Sequence, residues 1–201
     1  ASPKLKAALG PNAYPFNAVK ETAQLLVTLA VVQKTGKDFI DPKSNRVAWT
    51  VDELAAGLEF YGQLVKTGTV QSAKQDAGEG SVNLFEKPAW ADGRIAGSYE
   101  WDSTYEKYAK PLQKGQVLEP HKMVRFSNAV TDGVFRRPSM VFSISKRSKD
   151  PAAAAQVLNC LLNESIGIVP LGSTRGIPAS KAGAGILEKS GKLDPVVKAA
   201  N

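Results

Sequence analysis

Apolar residues recur at helical spacing in three stretches of the chain. The first runs from Asn17 to about Thr35 and places Val19, Ala23, Leu26, Val27 and Ala30 on one face. Asn17 is its predicted N-cap, and Gly36 stands where a left-handed C-terminal cap is wanted. The second opens with Thr50-Val51-Asp52-Glu53, a capping box in which Thr50 and Glu53 satisfy each other's free backbone amides. That helix carries Leu54, Leu58, Tyr61, Leu64 and Val65 and stops at Gly68. The third is capped by Asp150, begins at Pro151, and continues through Ala154, Val157, Leu158, Leu161 and Leu162.

Between these helices the pattern shortens. The first ten residues form a helical or irregular lead-in that ends at Gly10-Pro11. Residues 37–49 have the turn chemistry of a hairpin-like excursion at Asp41-Pro42 and Ser44-Asn45. Val82 to Ala91 reads as a short helix, and Asp92-Gly93 turns the chain into a short strand, Arg94 to Tyr99. Residues 102–110 are predicted helical. Met123–Phe126 and Pro138–Ser145 are predicted strands, the latter with Met140, Phe142 and Ile144 alternating against small polar residues. The stretch up to Gly185 is loop-like, with short helices near the end. Helices interspersed with short strands imply an α/β architecture.

Composition adds limits. A hydrophobic fraction of 43% with 22% charged residues is ordinary for a globular protein, against disorder or a fibrous repeat. The longest apolar run, Leu25 to Val32, is broken by Thr28, and no stretch approaches the roughly 20 apolar residues of a membrane span. The chain starts Ala1-Ser2-Pro3-Lys4, as expected either after removal of an export signal or inside a longer protein. Cys160 is the single cysteine, which excludes an internal disulfide framework and a multi-cysteine metal site. The formal charge of +7, from 26 Lys+Arg against 19 Asp+Glu, favours encounters with anionic partners: nucleic acid, an anionic membrane or an acidic small ligand. The basic residues are spread out with no block of five, which argues against nucleic acid and leaves a solvated basic surface as the plain alternative.

Catalytic chemistry has little to draw on. His121 is the only histidine and lies in the polar turn Glu119-Pro120-His121-Lys122, so a Ser-His-Asp or Cys-His arrangement rests wholly on it. Cys160 falls in the apolar-faced helix after Pro151 and reads as a small core residue. Glu100 and Asp102, two apart on an extended segment, share a face and are compatible with acid–base work on a glycoside, although such spacing is common. No GxGxxG or Walker-type phosphate loop is present.

Binding chemistry is better represented. Gly97-Ser98-Tyr99-Glu100-Trp101-Asp102 puts two aromatics and two carboxylates at the end of a predicted strand, where α/β folds place ligands. A sugar offers apolar C–H faces flanked by hydroxyls, which suits aromatic planes beside carboxylate acceptors. The competing reading makes Tyr99 and Trp101 core aromatics. Arg136-Arg137-Pro138 and Thr174-Arg175-Gly176-Ile177-Pro178 bring guanidinium forks into loops, either as carboxylate partners or as surface arginines.

Four segments in order resemble the family 1 extracellular solute-binding proteins, the sugar-binding components of bacterial ABC importers. They are Gln33–Phe39 after a long helix; Trp90–Trp101; Arg137–Lys146 followed by the alanine-rich helix ending Asn159-Cys160-Leu161-Leu162-Asn163; and Arg175–Ser180. The combination is most similar to the subgroup that binds pectic oligosaccharides such as oligogalacturonides. The resemblance implies a periplasmic-binding-protein-like (type II) α/β fold of two hinged lobes that close on ligand. It also implies that this chain is a fragment. Residues 1–136 would be the second, C-terminal lobe; 137–179 a strand and helix crossing to the first lobe; and 180–201 a return segment, with the opening half of the first lobe absent. Carried over, Trp101 is the cleft tryptophan that stacks on a sugar ring, with Glu100 and Asp102 as hydroxyl acceptors. Arg137 falls where a basic residue faces the ligand and Arg175 begins the turn near the hinge; both suit the carboxylates of a uronic oligomer, and Tyr14 is a further candidate. The expected protein is not an enzyme. It lies in the periplasm, or is extracellular and lipid-anchored where no outer membrane exists. Its partners are an oligosaccharide and a membrane permease, without nucleic acid, membrane insertion, metal or other cofactor.

Overall fold

The computed structural model describes residues 2–18, 20–80, 82–134, 141–174 and 176–200. The chain divides into two compact units, one of residues 1–100, 110–118 and 122–135, the other of residues 101–109, 119–121 and 136–201.

In the first unit, α1 (Ser2–Leu9) leads to α2 (Glu21–Thr35), the hairpin strands β1 (Ile40–Asp41) and β2 (Arg46–Val47), then α3 (Val51–Lys66), α4 (Ala73–Gly78) and α5 (Pro88–Ala91). The predicted ends of two helices match their physical causes. Gly36 takes φ 69° and closes α2 through its N–H to Val32 O. Thr50 and Glu53 form the reciprocal capping box that starts α3. Helices α2 and α3 approach closely at Gly57, where a Cβ would stand 2.6 Å from Val31 Cγ2. The core is built on Ala18, Leu26, Leu29 and Val70, with Phe16, Tyr61, Leu64, Val65, Tyr99 and Met123 packed round it.

Several expected elements differ. Asn17 does not cap α2, because its backbone is engaged elsewhere: its N–H donates to Gly97 O at 2.7 Å. The helix starts four residues later behind Lys20, which makes no side-chain cap bond. The predicted strand Arg94–Tyr99 is reduced to single parallel bridges, Tyr14 with Ile95 and Asn17 with Ser98, while Phe16 bridges Val70. Pro15 interrupts that ladder, since it has no N–H to give. The predicted helix 82–91 splits into a 3-10 turn, Leu84–Glu86, and α5. Pro88 forces the break by holding Lys87 extended at φ −81° and ψ 133°.

Met123–Phe126 forms no strand because a side chain supplies the partners that a sheet would have given. Gln33, 1% exposed, donates through Nε2 to Val124 O (2.8 Å) and Asp132 O (2.9 Å), and its Oε1 accepts from Phe126 N (3.0 Å). One buried amide thus fastens the 124–132 loop to α2 and satisfies its backbone. A second polar fastening lies at Lys87, only 3% exposed, whose ammonium contacts Asp76 at 2.5 Å and Glu79 at 3.0 Å. Burial pulls its pKa down, but the two carboxylates more than offset this and leave it raised.

The second unit holds a 3-10 turn, Asp102–Thr104, then α6 (Tyr105–Ala109), α7 (Pro151–Asn163), α8 (Ser165–Leu171), α9 (Lys181–Lys189) and α10 (Pro195–Ala200). Asp150 caps α7 as predicted, its carboxylate accepting from Ala153 N at 2.9 Å with Pro151 in the first turn. Buried Tyr108, Ile168, Leu187 and Val197 come from α6, α8, α9 and α10. No residue of α7 is buried. Cys160 is accordingly half-buried, not the core residue expected. Of the predicted strand Pro138–Ser145, residues 138–140 lie outside the described residues and 141–145 form no strand.

Candidate ligand-binding site

The parallel bridges orient the first unit. Segments 14–17 and 95–98 run the same way, so their carboxyl ends lie together, and the chain leaving Asn17 turns into α2. That end is where open α/β arrangements receive ligands. The turn is tight enough to put Lys20, a non-glycine residue, at φ 52°, a conformation that costs on the order of 1–3 kcal/mol and recurs at functional sites.

Glu100 sits two residues past the Ser98 bridge, half-buried. Its Oε1 accepts from Ser98 Oγ at 2.8 Å and from Thr22 Oγ1 at 3.0 Å. Thr22 belongs to the first turn of α2, so the carboxylate lies against the N-terminal end of that helix. Ser98 Oγ in turn accepts from Asn17 Nδ2 at 3.3 Å. Asn17 is 3% exposed, and its Oδ1 is buried without a partner among the described residues. The outcome is a carboxylate held by two hydroxyls and still half open to solvent, a suitable acceptor for ligand O–H groups.

The other expected residues fall into three groups. Tyr14, 6% exposed, is occupied within the first unit: its hydroxyl accepts from Gln75 Nε2 at 2.9 Å, and Lys6 Nζ lies 4.7 Å from its ring centre. Tyr99 packs on the core, and burial pushes its phenol pKa up. Trp101 and Asp102 open the second unit, both half-buried. Thr104 Oγ1 donates to Trp101 O at 2.6 Å, and Asp102 Oδ1 accepts from Ser103 N at 2.8 Å. In that same unit Ser173 Oγ donates to Glu106 at 3.3 Å, and a Cβ on Gly176 would stand 3.2 Å from Ser103 Cβ. The loop of Thr174 and Gly176 therefore lies beside the turn that Trp101 precedes. Arg137 and Arg175 themselves lie outside the described residues.

This chain is similar to solved structures over its whole length. A periplasmic solute-binding protein from Pectobacterium atrosepticum superposes with a TM-score of 0.85 at 29% identity, covering 99% of this chain and 50% of its own. A periplasmic oligogalacturonide-binding protein from Yersinia enterocolitica, solved in complex with saturated digalacturonic acid, gives 0.86 at 28%, covering 99% and 49%. The chain is built like half of a periplasmic solute-binding protein.

A de novo designed cysteine esterase also matches, with a TM-score of 0.78 at 28% identity over 98% of this chain and 49% of its own. No protein-family model matches the chain, and no curated protein sequence does. The chain thus spans about half the length of the binding proteins it resembles. Partial burial and the neighbouring Glu164 carboxylate push the Cys160 thiol pKa up. His121 is exposed, in a segment without regular structure. Among the described residues no group of three or more His, Cys, Asp or Glu side chains could hold a metal ion.

The residues that sequence reasoning missed are those that hold Glu100. Thr22 carries no signal of this role, since a threonine in the first turn of a helix is unexceptional. Ser98 lies within the segment Gly97–Asp102 already singled out, and its alternation with Glu100 was the available hint.

Proposed function

We propose that this chain is the second lobe, with its crossing and return segments, of a periplasmic solute-binding protein that captures an acidic, uronate-containing oligosaccharide and delivers it to an ABC importer permease. In this reading residues 1–136 form the lobe, 137–179 cross to the first lobe and 180–201 return. The observation that carries it is the likeness of 99% of this chain to 49% of a protein solved with digalacturonic acid bound. Two features of this chain support it. Glu100 is held half-open at the carboxyl ends of the parallel segments, and the charge of +7 attracts an anionic sugar.

Each residue has a role set by its chemistry. Trp101 stacks on a sugar face, while Glu100 and Asp102 accept its hydroxyls. Arg137 and Arg175 pair the uronate carboxylates in bidentate fashion. Tyr14, whose hydroxyl accepts from Gln75 Nε2, keeps its own O–H to donate and is a further candidate contact for the ligand. Ligand is bound noncovalently and released to the permease unchanged.

Equilibrium titration of the full-length gene product with digalacturonate tests the arginine pairing. A hydrogen-bonded charge pair is worth about 1.5–3 kcal/mol, so Arg137→Ala weakens binding about 10- to 150-fold. Unchanged affinity in the variant would remove the pairing from the account.

A further inference from the structure

Three departures from ordinary local chemistry cluster in the first unit. Helix α2 starts without a side-chain cap, behind Lys20 at φ 52°. The hydroxyl of Thr22, in the first turn of that helix, goes to Glu100 Oε1 at 3.0 Å instead of capping it. The buried side chain of Asn17 leaves its Oδ1 without a partner among the described residues, a state that protein interiors rarely tolerate. Local rules broken together at one place point to a functional site.

The Asn17 amide governs where a neighbouring proton goes. Its Nδ2 donates to Ser98 Oγ at 3.3 Å. A hydroxyl has one proton, and Ser98, approached by the Asn17 donor, sends its own to Glu100 Oε1 at 2.8 Å. Turned the other way, the amide would draw that proton to its own oxygen. The orientation found keeps the serine proton on the carboxylate and leaves the amide oxygen without a donor.

Thr22 and Ser98 therefore converge on one oxygen. Oε1 of Glu100 receives both hydroxyl protons, whereas Oε2 takes no hydrogen bond among the described residues. Glu79, in the same unit, makes the contrast. Its Oε1 accepts from Gln71 Nε2 at 2.7 Å and its Oε2 from Lys87 Nζ at 3.0 Å, so both oxygens are taken and a cation balances the charge. Glu100 is held from one side only and remains half-buried. An ionised carboxylate can only accept, so its second oxygen matches a sugar O–H and repels a uronate carboxylate.

We infer that Thr22 and Ser98 are positioning residues of the binding site: by filling Glu100 Oε1 between them, with Asn17 directing the serine proton, they fix the carboxylate and leave Oε2 for a ligand hydroxyl. This rests on the proposal that Glu100 accepts the hydroxyls of an acidic sugar. It adds that the sugar edge met by Glu100 carries hydroxyls, and that the uronate groups lie away from it.

Double-mutant cycles in the full-length gene product, read as digalacturonate affinity by calorimetry, test the assignment. Thr22→Val and Ser98→Ala each remove one hydroxyl with little change of shape, and each should weaken binding on the order of 10-fold. Thr22→Ser keeps the donor and should bind within about 2-fold of wild type. In a Glu100→Ala background neither Thr22→Val nor Ser98→Ala should weaken binding further. A variant that had merely lost stability would lose affinity in both backgrounds. Unchanged affinity in Thr22→Val and Ser98→Ala overturns the inference, as does full affinity in Glu100→Ala. So do equal losses with and without Glu100, or a Thr22→Ser protein as weak as Thr22→Val. These outcomes, in a wild type that binds digalacturonate, leave the ligand reading in place. A wild type that does not bind it brings down that reading, and this inference with it.

Discussion

Helices α2 and α7 are both apolar and of similar length, yet eight of the 15 residues of α2 are buried and none of the 13 of α7. Their local chemistry does not explain the contrast. Helix α7 is the better started of the two, with an aspartate cap and a first-turn proline, whereas α2 begins behind an uncapped Lys20. What separates them is company. Helix α2 meets α3 across Gly57 and holds the 124–132 loop through Gln33; helix α7 meets α8 and α9 along one side and little else. Caps and propensity decide that a helix forms and where it starts, whereas burial is decided by elements distant in sequence.

The contrast can be broken most sharply at the buried ion pair of the first unit, which has no counterpart among the described residues of the second. Lys87→Met leaves Asp76 buried without its cation, and we expect a loss of about 3–5 kcal/mol in urea unfolding. The pH dependence has a definite sign. Since the Lys87 pKa is raised above 10.5, its contribution is complete below that value and fades as pH rises through the folded-state pKa. The gap between wild type and variant should therefore narrow above about pH 10.5.

Next in size is a matched pair of truncations. Leu29→Ala empties a core position and should cost about 2–5 kcal/mol. Leu161→Ala in the isolated chain should change stability by less than about 0.5 kcal/mol. Comparable losses at the two sites would mean that α7 has a buried face after all. The smallest effects should be equal in the two units. Thr50→Ala and Asp150→Ala each remove a side-chain cap, and each should cost its helix about 1 kcal/mol, read as lost amide protection in the first turn. A cap acts on its own helix whether or not that helix is buried.

The same division explains what could be read from the sequence. Gly36, the Thr50–Glu53 box, the hairpin turn of 37–49 and the Asp150-Pro151 start are governed by residues within a few positions of one another, and all appear where expected. Strands were harder. Arg94–Tyr99 pairs only at isolated points with the Tyr14–Asn17 segment, about 80 positions away in sequence, and Met123–Phe126 has its backbone taken by the side chain of Gln33. Asn17 was misread as a cap because both a helix and a strand bridge can claim its backbone, and the bridge wins. For the site, sequence marked the Glu100–Asp102 cluster through its mixture of aromatic and acidic residues. It gave no sign that Thr22 holds Glu100 or that the Tyr14 hydroxyl accepts from Gln75, and only the alternation of Ser98 with Glu100 hinted at that contact.

The central claim, a solute-binding protein for an acidic sugar, is most directly tested by thermal unfolding of the full-length gene product with digalacturonate and with neutral disaccharides. A ligand that binds the folded state raises the melting temperature by mass action, by an amount that grows with its concentration. The account predicts a concentration-dependent rise with digalacturonate and none with the neutral sugars. No rise with digalacturonate, at concentrations where a neutral sugar does raise it, would contradict the claim.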